Sequence, residues 1–146
     1  QMAQRHGPKP VFVVAFVAAF VVTVGYFQLF NGTKDIWMSF FMGVCQLALF
    51  AGFAIYLPEL FPLRLRSTGV SFCYNVGRFI AASGPFTLGK LQKALAAGAT
   101  TPEAKLAAFR TACCLLSGVF LLGLVAVFFL PETKDQPLPE DGVPAK

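Results

Sequence analysis

Tyr56-Leu57-Pro58-Glu59-Leu60-Phe61-Pro62-Leu63-Arg64-Leu65-Arg66-Ser67-Thr68-Gly69 decides how this chain is read. Two prolines and a cluster of charges lie between two long apolar runs, and Glu59 precedes Arg66 by seven positions. The flanking runs cover about 36–57 and 70–88, and further runs cover about 11–30 and 106–130. Each is long enough to cross a bilayer as a helix, which takes about 20 apolar residues. The charges fall almost entirely between the runs, and the last run ends abruptly in Pro131-Glu132-Thr133-Lys134.

Composition agrees with that segmentation. The chain of 146 residues is 56% hydrophobic and 13% charged, with 17 phenylalanines. Soluble domains carry about 25% charged residues, so a water-facing surface could not be built from this set. The expected fold is an all-α membrane protein with four transmembrane helices. Residues 1–134 form the membrane segment, and 135–146, with three prolines and no apolar face, form a disordered tail.

Other readings fall away. The first run is too long for a signal-peptide core and leads into a second span instead of a cleavage site. No terminal lipidation signal is present. Gln1 does not look like a natural initiation site. The net charge of +5 is not a nucleic-acid signal, because basic residues beside apolar spans serve as topology signals and interfacial anchors. Cys45, Cys73, Cys113 and Cys114 all lie within expected spans, without zinc-ligand spacing to a histidine. They read as small packing residues, and no metal or cofactor is expected. His6 stands in a loop without partners. Asn31-Gly32-Thr33 fits the glycosylation pattern but reads as a turn, since its short loop lies against the membrane. Thr101-Pro102-Glu103 has the order of a helix start: a cap, a proline at the first position, and an acid at the positive dipole end.

Polarity within the spans singles out the pathway candidates. The first and fourth runs are nearly apolar all round, which places them against lipid or an equally apolar neighbour. The second carries Ser39, Met42, Gln46 and Phe53 on one face. Gln46 lies about 15 Å into it, near the middle of a ~30 Å core. The third has a polar stripe of Ser71, Asn75, Arg78, Ala82 and Pro85 at i, i+4, i+7 spacing. Cys73, Gly77, Ala81 and Gly84 form a small-residue stripe that admits a close neighbour, and Phe72, Val76 and Phe79 form a bulky one. Arg78 stands about 14 Å past Gly69. A charge at that depth costs about 2.5–3.5 kcal/mol on insertion scales and usually faces the bundle interior or a watery cavity. It contacts either an anionic substrate group or relay carboxylate, or a fixed partner that holds helices together. No acidic residue within the spans lies at its depth. Trp37, at a span boundary, reads as an interfacial anchor.

These loops resemble those of the major facilitator superfamily, near its sugar-porter and metabolite–proton symporter branches. The family carries a Glu-x6-Arg signature after its tenth helix and Pro-Glu-Thr-Lys after its twelfth. The resemblance covers essentially the whole chain, as helices nine to twelve of a twelve-helix transporter, a partial C-terminal lobe. It implies a secondary active transporter that moves a small polar or anionic metabolite by alternating access with proton coupling. Its partners would be the lipid bilayer, the small-molecule substrate and the missing N-terminal helices. It further implies that the tenth and eleventh helices border the pathway, with Gln46, Ser71, Asn75 and Arg78 as lining residues, while the ninth and twelfth are peripheral. Glu59, Arg64, Arg66, Glu132, Arg5 and Lys9 would form an ion-pair latch on the cytoplasmic face. Where the family has an Asp-Arg-x-Gly-Arg-Arg-like segment, Gln4-Arg5-His6-Gly7-Pro8-Lys9 keeps the first arginine, the glycine and one basic residue. Tyr74-Asn75-Val76-Gly77-Arg78 looks closer to metabolite–proton symporters than to hexose porters.

Charge counts alone leave orientation nearly tied. Arg5, Lys9, Arg64, Arg66, Lys134 and Lys146 fall on one side, and Lys34, Lys90, Lys93, Lys105 and Arg110 on the other. The resemblance puts both termini in the cytoplasm of a plasma or inner membrane. The alternative is a small four-span scaffold or assembly protein without transport activity. An enzyme is not expected, because no nucleophile–base pair or metal set lies within the spans.

Overall fold

A computed structural model describes residues 7–131 of the protein. It is all-α, with no strand among the described residues. The segment Gln4 to His6, Glu132, and the expected tail 135–146 lie outside them.

The first helix, α1, runs Pro8–Leu29. Gly7 caps its start at φ 86, a left-handed conformation that glycine adopts without a Cβ penalty. Pro8 follows at the first helical position, where its missing N–H breaks no bond. The helix therefore begins three residues before the apolar run. Its end turns extended at Phe30, and a short 3-10 turn, Thr33–Asp35, leads into α2, Trp37–Glu59. Pro58 sits inside the last turn of α2 and does not interrupt it. So near the end, the proline removes only one intrahelical bond.

The expected third span, 70–88, is where sequence and structure differ most. It is two helices, α3 at Arg66–Ala81 and α4 at Gly84–Leu95. Pro85 lacks the N–H that would reach the carbonyl at position 81, and its ring crowds that carbonyl. The backbone nevertheless stays helical in φ/ψ at Ala82 (−61, −21) and Ser83 (−73, −17). The Ser83 N–H and hydroxyl both reach the Ile80 carbonyl, at 3.1 and 2.7 Å. The helix is interrupted at Ala82 and Ser83, just before this proline, while the backbone there stays in the helical region.

α5, Pro102–Leu116, and α6, Val119–Phe129, continue one into the other across Ser117 and Gly118. Thr101 caps α5 by accepting from the Ala104 N–H at 3.3 Å, with Pro102 and Glu103 behind it, as their order predicts. Three stretches are therefore long and apolar enough to cross a membrane: Pro8–Leu29, Trp37–Glu59 and the 28-residue Pro102–Phe129. The expected crossing over 70–88 falls on α3 and α4, of 16 and 12 residues, and is not among these three. At 1.5 Å per residue Pro102–Phe129 is about 42 Å long, some 12 Å more than a hydrocarbon core. Its first two turns can stand in the headgroup region with Glu103 and Lys105.

α1 is the centre of the bundle, packed on one side by α2 and on the other by α5 and α6. The core is Phe12, Ala19, Leu49, Tyr56 and Val127. Among the described residues α1 thus lies against apolar neighbours, one of the two surroundings its apolar run allowed. Shape explains it: the Phe12 ring fills a notch over Gly52 and the Phe16 ring one over Gly123. A Cβ there would come within 2.9 and 2.3 Å of those rings. α3 and α4 hold no buried residue, and Phe72, Phe79 and Phe86 are 68%, 86% and 76% exposed.

Candidate transport pathway and gating loop

The polar groups inside the bundle divide between two places. The first is the α1–α2 seam. Gln46 is half-buried and its amide donates to the Thr23 hydroxyl at 3.4 Å, while the Ser39 hydroxyl donates to the Tyr26 phenol at 3.1 Å. Thr23 itself is buried. In an apolar interior each such group needs a partner, and here the two helices satisfy each other.

The second place is α3. Ser71, Asn75 and Arg78 are all exposed on one helical face, as their spacing predicts. Asn75 returns its amide to the Ser71 carbonyl at 2.9 Å. Arg78 lies one turn before Ala82, whose N–H its carbonyl accepts at 2.9 Å, while no described residue hydrogen-bonds its guanidinium. The structure thus groups Ser71, Asn75 and Arg78, and sets Gln46 apart on the seam with α1.

The loop between α2 and α3 is built by an aromatic–glycine contact. Phe61 folds back over Gly69 in the first turn of α3, so closely that a Cβ at 69 would lie 2.5 Å from the ring. The Gly69 N–H bonds the Leu65 carbonyl at 2.7 Å, and the Leu65 N–H bonds Pro62 at 3.0 Å. This fold aims Arg66 inward. Its Nε donates to the Phe61 carbonyl at 3.4 Å, and its Nη2 is buried without a hydrogen-bond partner among the described residues. Glu59 closes α2, Arg64 is exposed in the loop, and Lys9 is half-buried in the first turn of α1. Arg5 and Glu132 lie outside the described residues.

Tyr56 joins these parts. It is 2% exposed, its ring packs edge-on against Phe12 at 5.6 Å, and its hydroxyl donates to the Pro131 carbonyl at 2.7 Å. The start of α1, the end of α2 and the end of α6 meet there. At the opposite end Arg110 does similar work. Its guanidinium donates to the Phe30 carbonyl at the end of α1 and to the Asn31 side chain at 3.3 Å. Asn31 donates its side-chain amide to the Leu29 carbonyl and its backbone N–H to the Asp35 carboxylate, both at 2.9 Å, as a turn residue does.

Sequence reasoning passed over Tyr56, Phe61, Gly69 and Arg110. Gly69 alone gave a signal, since a glycine three residues past Arg66 in a first helical turn asks for a close neighbour.

Comparison with known proteins places the chain in a family. The profile of the sugar (and other) transporter family matches residues 1–141. A probable 4-methylmuconolactone transporter of Cupriavidus pinatubonensis is 31% identical over 91% of this chain and 29% of its own. A putative metabolite transport protein of Haemophilus influenzae is 27% identical over 94% of this chain and 31% of its own. A glycine betaine/proline/ectoine/pipecolic acid transporter of Dickeya dadantii is 30% identical over 94% of this chain and 26% of its own. The chain therefore spans about three tenths of the length of these relatives. No solved structure matches it.

Proposed function

This chain belongs to the sugar (and other) transporter family, and from that premise we propose that it is part of a secondary active transporter for a small polar or anionic metabolite. The chain is a multi-pass integral membrane segment. Its functional partners are the bilayer, the substrate and the remaining helices of the same transporter, which cover the exposed faces of α3 and α4. Both termini and the Glu59 loop lie in the cytoplasm, and transport is coupled to protons.

The observation that carries the proposal is Arg78: a permanent cation exposed on α3, whose guanidinium has no hydrogen-bond partner among the described residues. Arginine stays charged at any working pH, so in the membrane it needs an anion or a water-filled cavity. Ser71 and Asn75, on the same face, supply neutral contacts, and Gln46 reaches the same pathway when α2 moves against α1. A fixed ion pair with a carboxylate outside this chain is the second reading of Arg78.

The gate is proposed on Arg66. A buried guanidinium nitrogen without a partner among the described residues is a seat for a carboxylate, and Glu59, seven positions before it, is the near candidate in sequence. Arg64, Lys9 and Arg5 complete the cationic side of the latch. Exposed single pairs contribute about 0–1 kcal/mol, which suits a latch that must open in every cycle.

The test is uptake by the full-length protein in proteoliposomes, with labelled 4-methylmuconolactone and proline as probes. Arg78→Ala should cut uptake at least about tenfold, the effect of 1.4 kcal/mol, with folded protein unchanged. Unchanged uptake kinetics would assign Arg78 to structure. Uptake that survives collapse of the proton gradient would remove the coupling. Absence of transport of any tested metabolite by the full-length protein would favour the four-span scaffold.

A further inference from the structure

We infer that the transported substrate is an anion and that Lys93 marks its way in, at the far end of an open lane that leads to Arg78. The inference deepens the transport reading above and rests on it.

α3 and α4 are interrupted at Ala82 and Ser83, yet the helical phase carries through. The Ala82 N–H bonds the Arg78 carbonyl at 2.9 Å, and the Thr87 N–H bonds the Ser83 carbonyl at 3.0 Å. The stripe that holds Arg78 therefore continues past the break through Ala82, Pro85 and Gly89 to Lys93, at steps of three and four. All five positions are exposed, and a Cβ at Gly89 would meet nothing within 4 Å. No side chain larger than a proline ring stands on this stripe between the two cations. The bulk is elsewhere. Phe72, Phe79 and Phe86 keep a seven-residue spacing on the adjoining stripe, and Leu88 and Leu91 are half-buried on a helix that packs against α5.

Depth gives the two cations different tasks. At 1.5 Å per residue Lys93 lies about 22 Å beyond Arg78 and about 36 Å beyond Gly69, just past a ~30 Å core. Arg78 is thus midway and Lys93 at the mouth. In the same hairpin Lys90 and Lys105 stand exposed against a single acid, Glu103. None of the three lysine ammonium groups has a partner among the described residues. A cleft lined by one sign of charge raises the arrival rate of the opposite charge by about 10–10³, an effect that salt removes. An anion gains from the mouth, the clear lane and the inner guanidinium in turn, whereas an uncharged solute gains from none of the three.

The experiment places a cysteine in the lane, Ala82→Cys, in the full-length protein with its other cysteines replaced, using open membrane fragments so that both faces are reached. Rates with an anionic and a cationic methanethiosulfonate are compared at low salt, and their ratio cancels the thiol's own reactivity. The anionic reagent should react faster. Lys93→Gln should lower the anionic-to-cationic ratio at least about threefold, whereas Lys34→Gln, the same charge removed from the turn between α1 and α2, should change it less than about twofold. Uptake in proteoliposomes is the second readout. Lys93→Gln should raise KM for 4-methylmuconolactone, a carboxylate, about fivefold with kcat unchanged, and leave KM for zwitterionic proline as it was. A cysteine at 82 that reacts with neither reagent, or equal ratio changes in the two glutamine variants, would overturn the inference. So would equal KM shifts for both probes, the mark of a lysine that only anchors α4 to lipid headgroups. Failure of the transport reading shows differently, as wild-type protein that takes up neither probe.

Discussion

Arg110→Gln should cost the folded protein about 2–3 kcal/mol, although Arg110 lies far from the gate. α1 ends with no basic residue in its own last turn, so its free carbonyls carry an uncompensated negative dipole end. Arg110 supplies the missing cation from α5, 80 positions away, by donating to the Phe30 carbonyl and the Asn31 side chain. A hydrogen bond to a charged group contributes about 1.5–3 kcal/mol, and a cation at a helix C-terminus about 0.3–1 kcal/mol. The two overlap in the same contact, which sets the total at about 2–3 kcal/mol and a population change near 100-fold. Arg110→Lys keeps the charge but not the fork that spans both acceptors, so it should recover only about 1 kcal/mol. Denaturant-titrated unfolding of the full-length protein in detergent measures both, and a cycle with Asn31→Ala isolates the side-chain contact. A loss below about 0.5 kcal/mol for Arg110→Gln, or equal losses for the Gln and Lys variants, would refute the reasoning.

Two further outcomes follow from close contacts. Gly69→Ala places a methyl 2.5 Å from the Phe61 ring and should cost about 1–3 kcal/mol, the usual range for overpacking; it should also raise protease cleavage within the Pro62–Leu65 loop. Unchanged stability and cleavage would mean that Phe61 leaves Gly69 freely. A double-mutant cycle of Thr23→Ala with Gln46→Ala should give a coupling near 0.6 kcal/mol, typical of interhelical hydrogen bonds in membranes. Zero coupling would show that the pair does not hold the α1–α2 seam.

Much of this architecture is legible in the residues. Apolar length and confined charge are one-dimensional properties, so the spans around α1, α2 and α5–α6 follow from them directly. Thr101-Pro102-Glu103 announces its helix start because capping is local chemistry. The break between Ala81 and Gly84 was harder, since Pro85 also fitted a helical stripe by spacing and its missing N–H mattered only once the backbone was traced. The central place of α1 was not legible. It depends on Phe12 and Phe16 meeting Gly52 and Gly123, a match of shapes between residues tens of positions apart. The same limit hid Tyr56 and Arg110, whose partners are backbone carbonyls and leave no mark on a sequence pattern. Gln46 lies on α2 as its run predicts, yet position along a helix does not say which neighbour an amide will face. The Ser71–Asn75–Arg78 stripe was legible because all three residues lie on one helix.

The central claim is that this stripe lines a water-filled pathway that opens alternately to the two sides of the membrane. Asn75→Cys in the full-length protein, with Cys45, Cys73, Cys113 and Cys114 replaced by serine or alanine, tests it most directly through reaction with a membrane-impermeant maleimide. The account predicts labelling from both sides, at rates that shift in opposite directions when Glu59→Gln biases the gate. A cysteine at 75 that reacts from neither side would place the stripe against lipid or packed protein and contradict the claim.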